Sequence, residues 1–130
     1  ELDTKDVEVC NKHLGDIGKK ATEKKSVKCV WGDAFHSIKS VGDDTYDHIL
    51  VDLNDDQFCI DLAAKNMDSL VRILKPKGVI TAQVGSQDKK PHQVENWLNV
   101  FHHHFGNTKL SRVYVPSFDC SWNFSSSINH

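Results

Sequence analysis

The fold of this chain is decided around residues 46–52, which read YDHILVD. The run HILV at 48–51 is typical of a strand that is buried on both faces of a sheet. An acidic loop follows at 54–57, and residues 61–74 then carry apolar side chains at helical spacing. The sequence PKG at 76–78 breaks this helix, and a second strand is predicted over 79–84. A strand, a helix and a strand joined by short loops predict two parallel strands of one sheet.

The segments on either side extend this alternating pattern. Towards the start, the sequence predicts a helix with Thr4 as its N-cap, a strand over 27–31 and a short helix over 34–41. Towards the end, a helix over 91–105 precedes two strands, over 110–115 and 122–126. We therefore expect an α/β fold with a mostly parallel sheet. The strands 27–31, 46–52 and 79–84 should be parallel neighbours, and the last two strands should form an antiparallel pair at one edge.

Composition excludes several classes of protein. The 130 residues are enough for one domain, and 16 basic against 18 acidic residues lack the basic excess that is typical of nucleic-acid-binding domains. The longest apolar runs are too short to span a membrane. Four cysteines without a C-x-x-C pair predict free thiols, as in a cytoplasmic protein. The three histidines at 102–104 point about 100° apart on a helix, so they do not converge on one metal ion.

Acidic residues lie at three places where a strand or the stub before the first helix ends. Glu1 and Asp3 precede the first helix, Asp33 follows the strand at 27–31, and Asp52 ends the strand at 46–52. In parallel α/β sheets the ligand site lies beyond the carboxyl ends of the strands, so this arrangement favours a site lined by carboxylates. The alternative is that each acid caps a helix or stabilises a turn, as acids in such loops commonly do.

Taken in order, several short segments resemble the spermidine/spermine synthase family, the aminopropyltransferases. They are ELD at 1–3, GDAF at 32–35, YDHILVD at 46–52 with Asp55, LKPKG at 74–78, Gln83, and VPSF at 115–118 with Trp122. The resemblance implies a class I methyltransferase-like, Rossmann-like fold. It also implies transfer of an aminopropyl group from decarboxylated S-adenosylmethionine, the co-substrate, to a polyamine, with release of methylthioadenosine. No permanently bound cofactor and no metal are implied.

The same resemblance assigns the nucleotide-binding residues of the site. Glu1 matches the acid that binds the ribose hydroxyls, and a carboxylate accepts two such hydrogen bonds well. Asp33 matches the residue that accepts from the adenine amino group, with the backbone of Ala34 beside it.

Four further residues match the acceptor-amine side of the family site. Asp52 matches the catalytic aspartate, whose carboxylate takes a proton from the acceptor amine. This amine is cationic at neutral pH. Asp55 and Gln83 match contacts to the acceptor amine. Phe118 stands where the family often has tyrosine, and the loop after Asp55 lacks the family's usual prolines, so the acceptor itself is left open.

The family pattern extends beyond this sequence. Residues 1–3 match the end of the family's second strand, so the chain corresponds to the C-terminal part of the catalytic domain. The glycine-rich nucleotide loop, the first strand and the N-terminal β region lie outside it. The resemblance therefore implies a second polypeptide or a further segment that supplies them, and a homo- or hetero-oligomer. Two alternative functions stay open: a non-catalytic relative that binds nucleotide or amine or serves in assembly, and a methyltransferase for another substrate.

Overall fold

The computed structural model describes residues 3–15, 22–54 and 56–130, and it divides into two units, Glu1–Val41 and Gly42–His130. The first unit contains helix α1 (Thr4–His13) and the short helix α2 (Ala34–Ser37), which continues as a 3-10 turn over Ile38–Ser40. Asp3, not Thr4, is the N-cap of α1, because its side chain accepts from the backbone N–H of Lys5 at 2.9 Å. Aspartate is a stronger N-cap than threonine, so the helix is capped by Asp3 and not by the predicted Thr4.

The strand predicted over 27–31 is wrong, because these residues adopt no regular structure. Val27, Val30 and Trp31 are 45–50% exposed. An apolar segment becomes a strand only where a neighbouring strand satisfies its backbone hydrogen bonds. The sheet formed by the described residues does not include this segment. Of the three strands predicted to be parallel, only 46–52 and 79–84 are therefore found in that sheet.

The second unit is built on a four-stranded sheet of order β1-β2-β4-β3. Its strands are β1 (Tyr46–Val51), β2 (Leu74–Gly85), β3 (Lys109–Val115) and β4 (Cys120–Ile128). The pair β1 and β2 is parallel, with Val51 opposite Ala82, as the sequence predicts. The β3–β4 hairpin is antiparallel and lies at one edge, which confirms the second part of the prediction, and β4 also pairs antiparallel with β2. The described sheet is therefore mixed.

The strand β2 begins earlier than predicted. Leu74 pairs with Tyr46, but the next pair joins Val79 to His48, so the intervening residues form an irregularity inside the strand. Gly78 lies in this irregularity, and a Cβ atom there would stand 2.7 Å from Leu74 Cδ1 and 2.8 Å from the carbonyl oxygen of Lys75. The sequence PKG thus ends the helix, as predicted, and its glycine leaves the room that the Leu74 side chain and the Lys75 carbonyl occupy.

Two long helices cover the sheet and complete the core. Helix α3 (Gln57–Ile73) begins four residues earlier than predicted, because the side chain of Asp56 accepts from the N–H of Cys59 at 2.9 Å and caps it. Helix α4 (Pro91–Phe105) has the predicted bounds and ends at Gly106, whose φ of 70° is left-handed. The fully buried side chains come mainly from α3, α4 and β2, among them Met67, Trp97, Phe101 and Ile80.

Two remaining predictions concern the thiols and the membrane. Cys10, Cys29, Cys59 and Cys120 are all free thiols, as predicted. Within the ranges that the structure describes, no helix has the length and apolar character needed to cross a membrane.

Candidate functional site

A cavity of about 660 Å³ opens in the second unit where β1 and β2 reach their carboxyl ends. Its walls come from the end of β1 and the loop after it, from one face of β2 and β4, and from the turn between β3 and β4. The lining residues are Leu50, Val51, Asp52, Leu53, Asn54, Thr81, Gln83, Val115, Phe118, Trp122 and Phe124. This is the position at which the sequence predicts a ligand site.

Among the described residues that line the cavity, Asp52 is the one that carries a charge. It directly follows β1, whose last residue Val51 is fixed by its pairing with Ala82. The residue is exposed, so its carboxylate is accessible to a cationic ligand. The cavity wall beside it is apolar, because Leu50, Val115 and Phe124 line the same space. A carboxylate in a cleft with apolar walls suits an ammonium group that carries an alkyl chain.

Gln83 connects three segments of this cavity. Its side-chain nitrogen Nε2 donates to the carbonyl oxygen of Leu53, in the loop after β1. Its oxygen Oε1 accepts from the indole Nε1 of Trp122 on β4 at 2.7 Å. The amide of Gln83 is therefore held from both ends, between the loop that carries Asp52 and the aromatic side of the cavity.

An aromatic pair forms a further part of the cavity wall. The rings of Phe118 and Trp122 have centroids 4.6 Å apart and planes tilted by 49°. Phe118 belongs to the 3-10 turn Pro116–Phe118, and Lys89 Nζ donates to its carbonyl oxygen at 3.1 Å, which ties this turn to the loop before α4. Aromatic faces attract cations, so this wall also favours an ammonium ligand.

Of the seven predicted site residues, three meet in this cavity: Asp52, Gln83 and Phe118. Glu1 and Asp55 lie outside the described residues. Asp33 and Ala34 belong to the first unit.

Asp33 caps the short helix α2, because its Oδ1 accepts from the N–H groups of Phe35 at 2.8 Å and His36 at 3.3 Å. Since residues 27–31 form no strand, Asp33 does not follow one. Asp3 and Asp33 thus cap helices, as the alternative interpretation expects, and Asp56 in the acidic loop does so too. A cap uses one carboxylate oxygen and leaves the other able to accept from a ligand.

Residue-by-residue inspection missed several members of the site. Leu53, Thr81 and Phe124 carry no chemical signal of their own, and Trp122 enters the sequence argument only as part of a motif. Strand alternation could have found two of them once Gln83 was chosen. Thr81 lies two residues before Gln83 on β2, and Phe124 stands opposite Gln83 in the β2–β4 register.

Comparison with known proteins points to one family. The model of the spermine/spermidine synthase domain family matches residues 1–130, the whole chain. The polyamine aminopropyltransferase of Prochlorococcus marinus (strain MIT 9215) is 26% identical, over 99% of this chain and 47% of the relative. The polyamine aminopropyltransferase of Korarchaeum cryptofilum (strain OPF8) is 24% identical, over 96% of this chain and 39% of the relative. The chain thus spans less than half the length of these relatives.

Solved structures agree on the fold. The spermidine synthase of Thermotoga maritima superposes with a TM-score of 0.85 at 15% identity, over 100% of this chain and 44% of that one. A spermidine synthase in complex with the transition-state analogue AdoDATO gives 0.82 at 14% identity, over 100% and 43%. An O-methyltransferase-like protein from Klebsiella pneumoniae gives 0.66 at 14% identity, over 100% and 60%. These likenesses confirm the predicted α/β, methyltransferase-like fold.

Proposed function

This chain belongs to the spermine/spermidine synthase family, and from that premise we propose that it forms the acceptor side of an aminopropyltransferase site. The proposed reaction transfers the aminopropyl group of decarboxylated S-adenosylmethionine to a polyamine and releases methylthioadenosine. One observation carries the proposal: the carboxylate of Asp52, the one carboxylate of the described lining, lies at an apolar and aromatic cavity at the carboxyl ends of β1 and β2. The named activity of the relatives, polyamine aminopropyl transfer, supports it.

Amine binding follows from the walls of the cavity. The carboxylate of Asp52 attracts an ammonium group, and the faces of Phe118 and Trp122 add a cation–π attraction. The methylene chain of a polyamine is apolar, so it packs along Leu50 and Val115. Gln83 retains one amide N–H and one lone pair beyond the two hydrogen bonds that hold it, and these serve as a further polar contact.

The chemical step requires a neutral amine. An alkylammonium group holds its proton to about pH 10 in water, so a base has to accept that proton before the nitrogen lone pair is available for attack. The nitrogen lone pair forms a bond to the carbon beside the sulfonium, the carbon–sulfur bond breaks, and its electron pair returns to sulfur to give neutral methylthioadenosine. Asp52 is the proposed base, since it is the one carboxylate of the described cavity lining.

The donor side of the site is proposed from the family resemblance. Asp33 uses Oδ1 to cap α2, and its second oxygen is proposed to accept from the adenine amino group, with the backbone of Ala34 beside it. Glu1 is proposed to bind the ribose hydroxyls, and Asp55 to add a second carboxylate at the amine. Decarboxylated S-adenosylmethionine acts as a co-substrate that leaves after each turnover.

Polypeptide outside this chain is proposed to complete the site. In the described sheet β1 is an edge strand, and Leu50, its last residue but one, is 79% exposed. An apolar edge strand of this kind exposes backbone groups that another strand can pair with. We expect a further segment or a second polypeptide to provide this strand and the glycine-rich nucleotide loop, in a homo- or hetero-oligomer. The free thiols support a cytoplasmic location.

The test is an activity assay on the native protein together with any polypeptide that accompanies it. Decarboxylated S-adenosylmethionine is mixed with putrescine or spermidine, and release of methylthioadenosine is followed. Release that requires the amine supports the proposal. The absence of release with every polyamine tested would overturn it and favour a non-catalytic relative.

A further inference from the structure

We infer that Trp122 is a positioning residue, which holds the Gln83 amide and, through it, the loop that carries Asp52. This inference rests on the proposed function, because it concerns the same cavity. It assigns to Trp122 a hydrogen-bonding role in addition to its aromatic face. The contacts that carry it join β4, β2 and the loop after β1 in one chain of donors and acceptors.

The indole N–H decides the orientation of the Gln83 amide. Indole Nε1 donates and does not accept, so the group that faces it has to be the amide oxygen. The amide nitrogen then faces the carbonyl oxygen of Leu53, which only accepts. If the amide were flipped, two donors would face each other at Trp122 and two acceptors at Leu53. One orientation is therefore strongly favoured for as long as the indole N–H is present.

These linked hydrogen bonds fix the position of Asp52. The backbone on one side of Asp52 is fixed by the pairing of Val51 with Ala82. On the other side, the carbonyl of Leu53 is anchored by Gln83. Asp52 thus stands between two anchors, and the second of them depends on the indole N–H of Trp122. A general base requires its carboxylate within hydrogen-bond reach of the proton, so a loose loop should slow the reaction more than it weakens amine binding.

The position of Trp122 in the fold separates this role from core packing. Trp122 is half-buried and lines the cavity, whereas its strand neighbour Asn123 points to the opposite face and is buried. The large aromatic residues of the core, such as Trp97 and Phe101, lie on α4. Trp97 offers a matched control, because its Nε1 is buried and has no hydrogen-bond partner among the residues that the structure describes.

The test compares Trp122→Phe, Gln83→Leu and the double variant with the native protein. Trp122→Phe keeps an aromatic ring and removes the N–H. Trp97→Phe makes the same chemical change in the core, and thermal unfolding verifies that all variants are folded. Turnover gives kcat and KM for the amine separately. Nuclear magnetic resonance of the backbone amides of Leu53 and Asn54 reports on the loop without any need for turnover.

The expected results are specific to a chain of contacts. Trp122→Phe should lower kcat by about 3- to 10-fold, the effect of losing about one hydrogen bond, with a smaller change in KM. In the Gln83→Leu background the same substitution should have no further effect. The amide signals of Leu53 and Asn54 should shift in Trp122→Phe and stay unchanged in Trp97→Phe.

Two results would overturn the inference: additive effects of Trp122→Phe and Gln83→Leu, or unchanged signals of Leu53 and Asn54 in Trp122→Phe. A failure of the proposed function gives a different result from a failure of the inference about Trp122. In that case the native protein shows no methylthioadenosine release, while the amide signals still decide whether Trp122 holds the loop.

Discussion

Replacing Asp52 with asparagine should slow aminopropyl transfer by about 10²–10⁴-fold and change the KM for the amine much less. Asparagine has nearly the shape of aspartate, so the walls of the cavity and the anchors at Val51 and Leu53 should be retained. What is lost is the negative charge and the ability to accept a proton. The nucleotide is proposed to bind through other residues, so its affinity should stay nearly unchanged.

The two magnitudes differ because they have different physical origins. A factor of 10²–10⁴ in rate corresponds to about 3–5 kcal/mol in the activation barrier, the usual contribution of a general base. The loss in binding is the attraction between a carboxylate and an ammonium about 4 Å apart. Asp52 is exposed, so water screens this attraction and the value is about 1 kcal/mol, or roughly fivefold in KM. The effect on kcat should therefore exceed the effect on KM by at least an order of magnitude.

The assay follows methylthioadenosine release against amine concentration, which separates kcat from KM. Asp56→Asn is the matched control, because Asp56 belongs to the same acidic loop but caps α3 through the N–H of Cys59. Asparagine also caps helices well, so this variant should keep the native kcat. The reasoning would be refuted if Asp52→Asn kept its kcat, or if Asp56→Asn lost as much.

Three further predictions concern the nucleotide, one tyrosine and one glycine. Asp33→Ala should weaken methylthioadenosine binding by about 5- to 100-fold in calorimetry, since it leaves a polar ligand group without a partner, and equal affinity would contradict the assignment. Asp119 accepts a hydrogen bond from Tyr114 at 2.7 Å and raises the pKa of this phenol above its usual 10.0. The hydrogen bond therefore stabilises the fold below pH 10, and this stabilisation is lost as pH rises through the raised pKa. Asp119→Asn should bring this pKa back towards 10.0 in a titration followed by phenolate absorbance, and an unchanged pKa would assign the shift to another cause. Gly78→Ala should lower the free energy of unfolding by about 1–3 kcal/mol in chemical denaturation. Gly42→Ala is the control, because its Cβ meets only an ordinary contact at 3.6 Å, and it should change the free energy of unfolding by less than about 0.5 kcal/mol. Equal losses in the two variants would contradict the close contacts at Gly78.

Some of the site could be predicted from the sequence because the relevant signals are local. Helix α4 begins at Pro91 and ends before Gly106, and both residues favour those positions through their own backbone preferences. The parallel pairing of β1 and β2 follows from the helix between them, which leaves little other choice of topology. The carboxyl end of β1 then marks the place of Asp52. The family resemblance added Gln83 and Phe118, which no spacing rule would have selected.

The sequence by itself determined the kind of elements, most of their order and the acid at the end of β1. Only the tertiary structure decided which strands exist and which side chains meet. Residues 27–31 have the composition of a strand, but a strand forms only by pairing with another strand, and these residues are not part of the described sheet. The link from Trp122 through Gln83 to Leu53 joins residues that are 39 and 30 positions apart. Contacts between residues so far apart in the sequence depend on the register of the strands and on which face of the sheet each side chain occupies. Neither can be read from the local sequence around each residue.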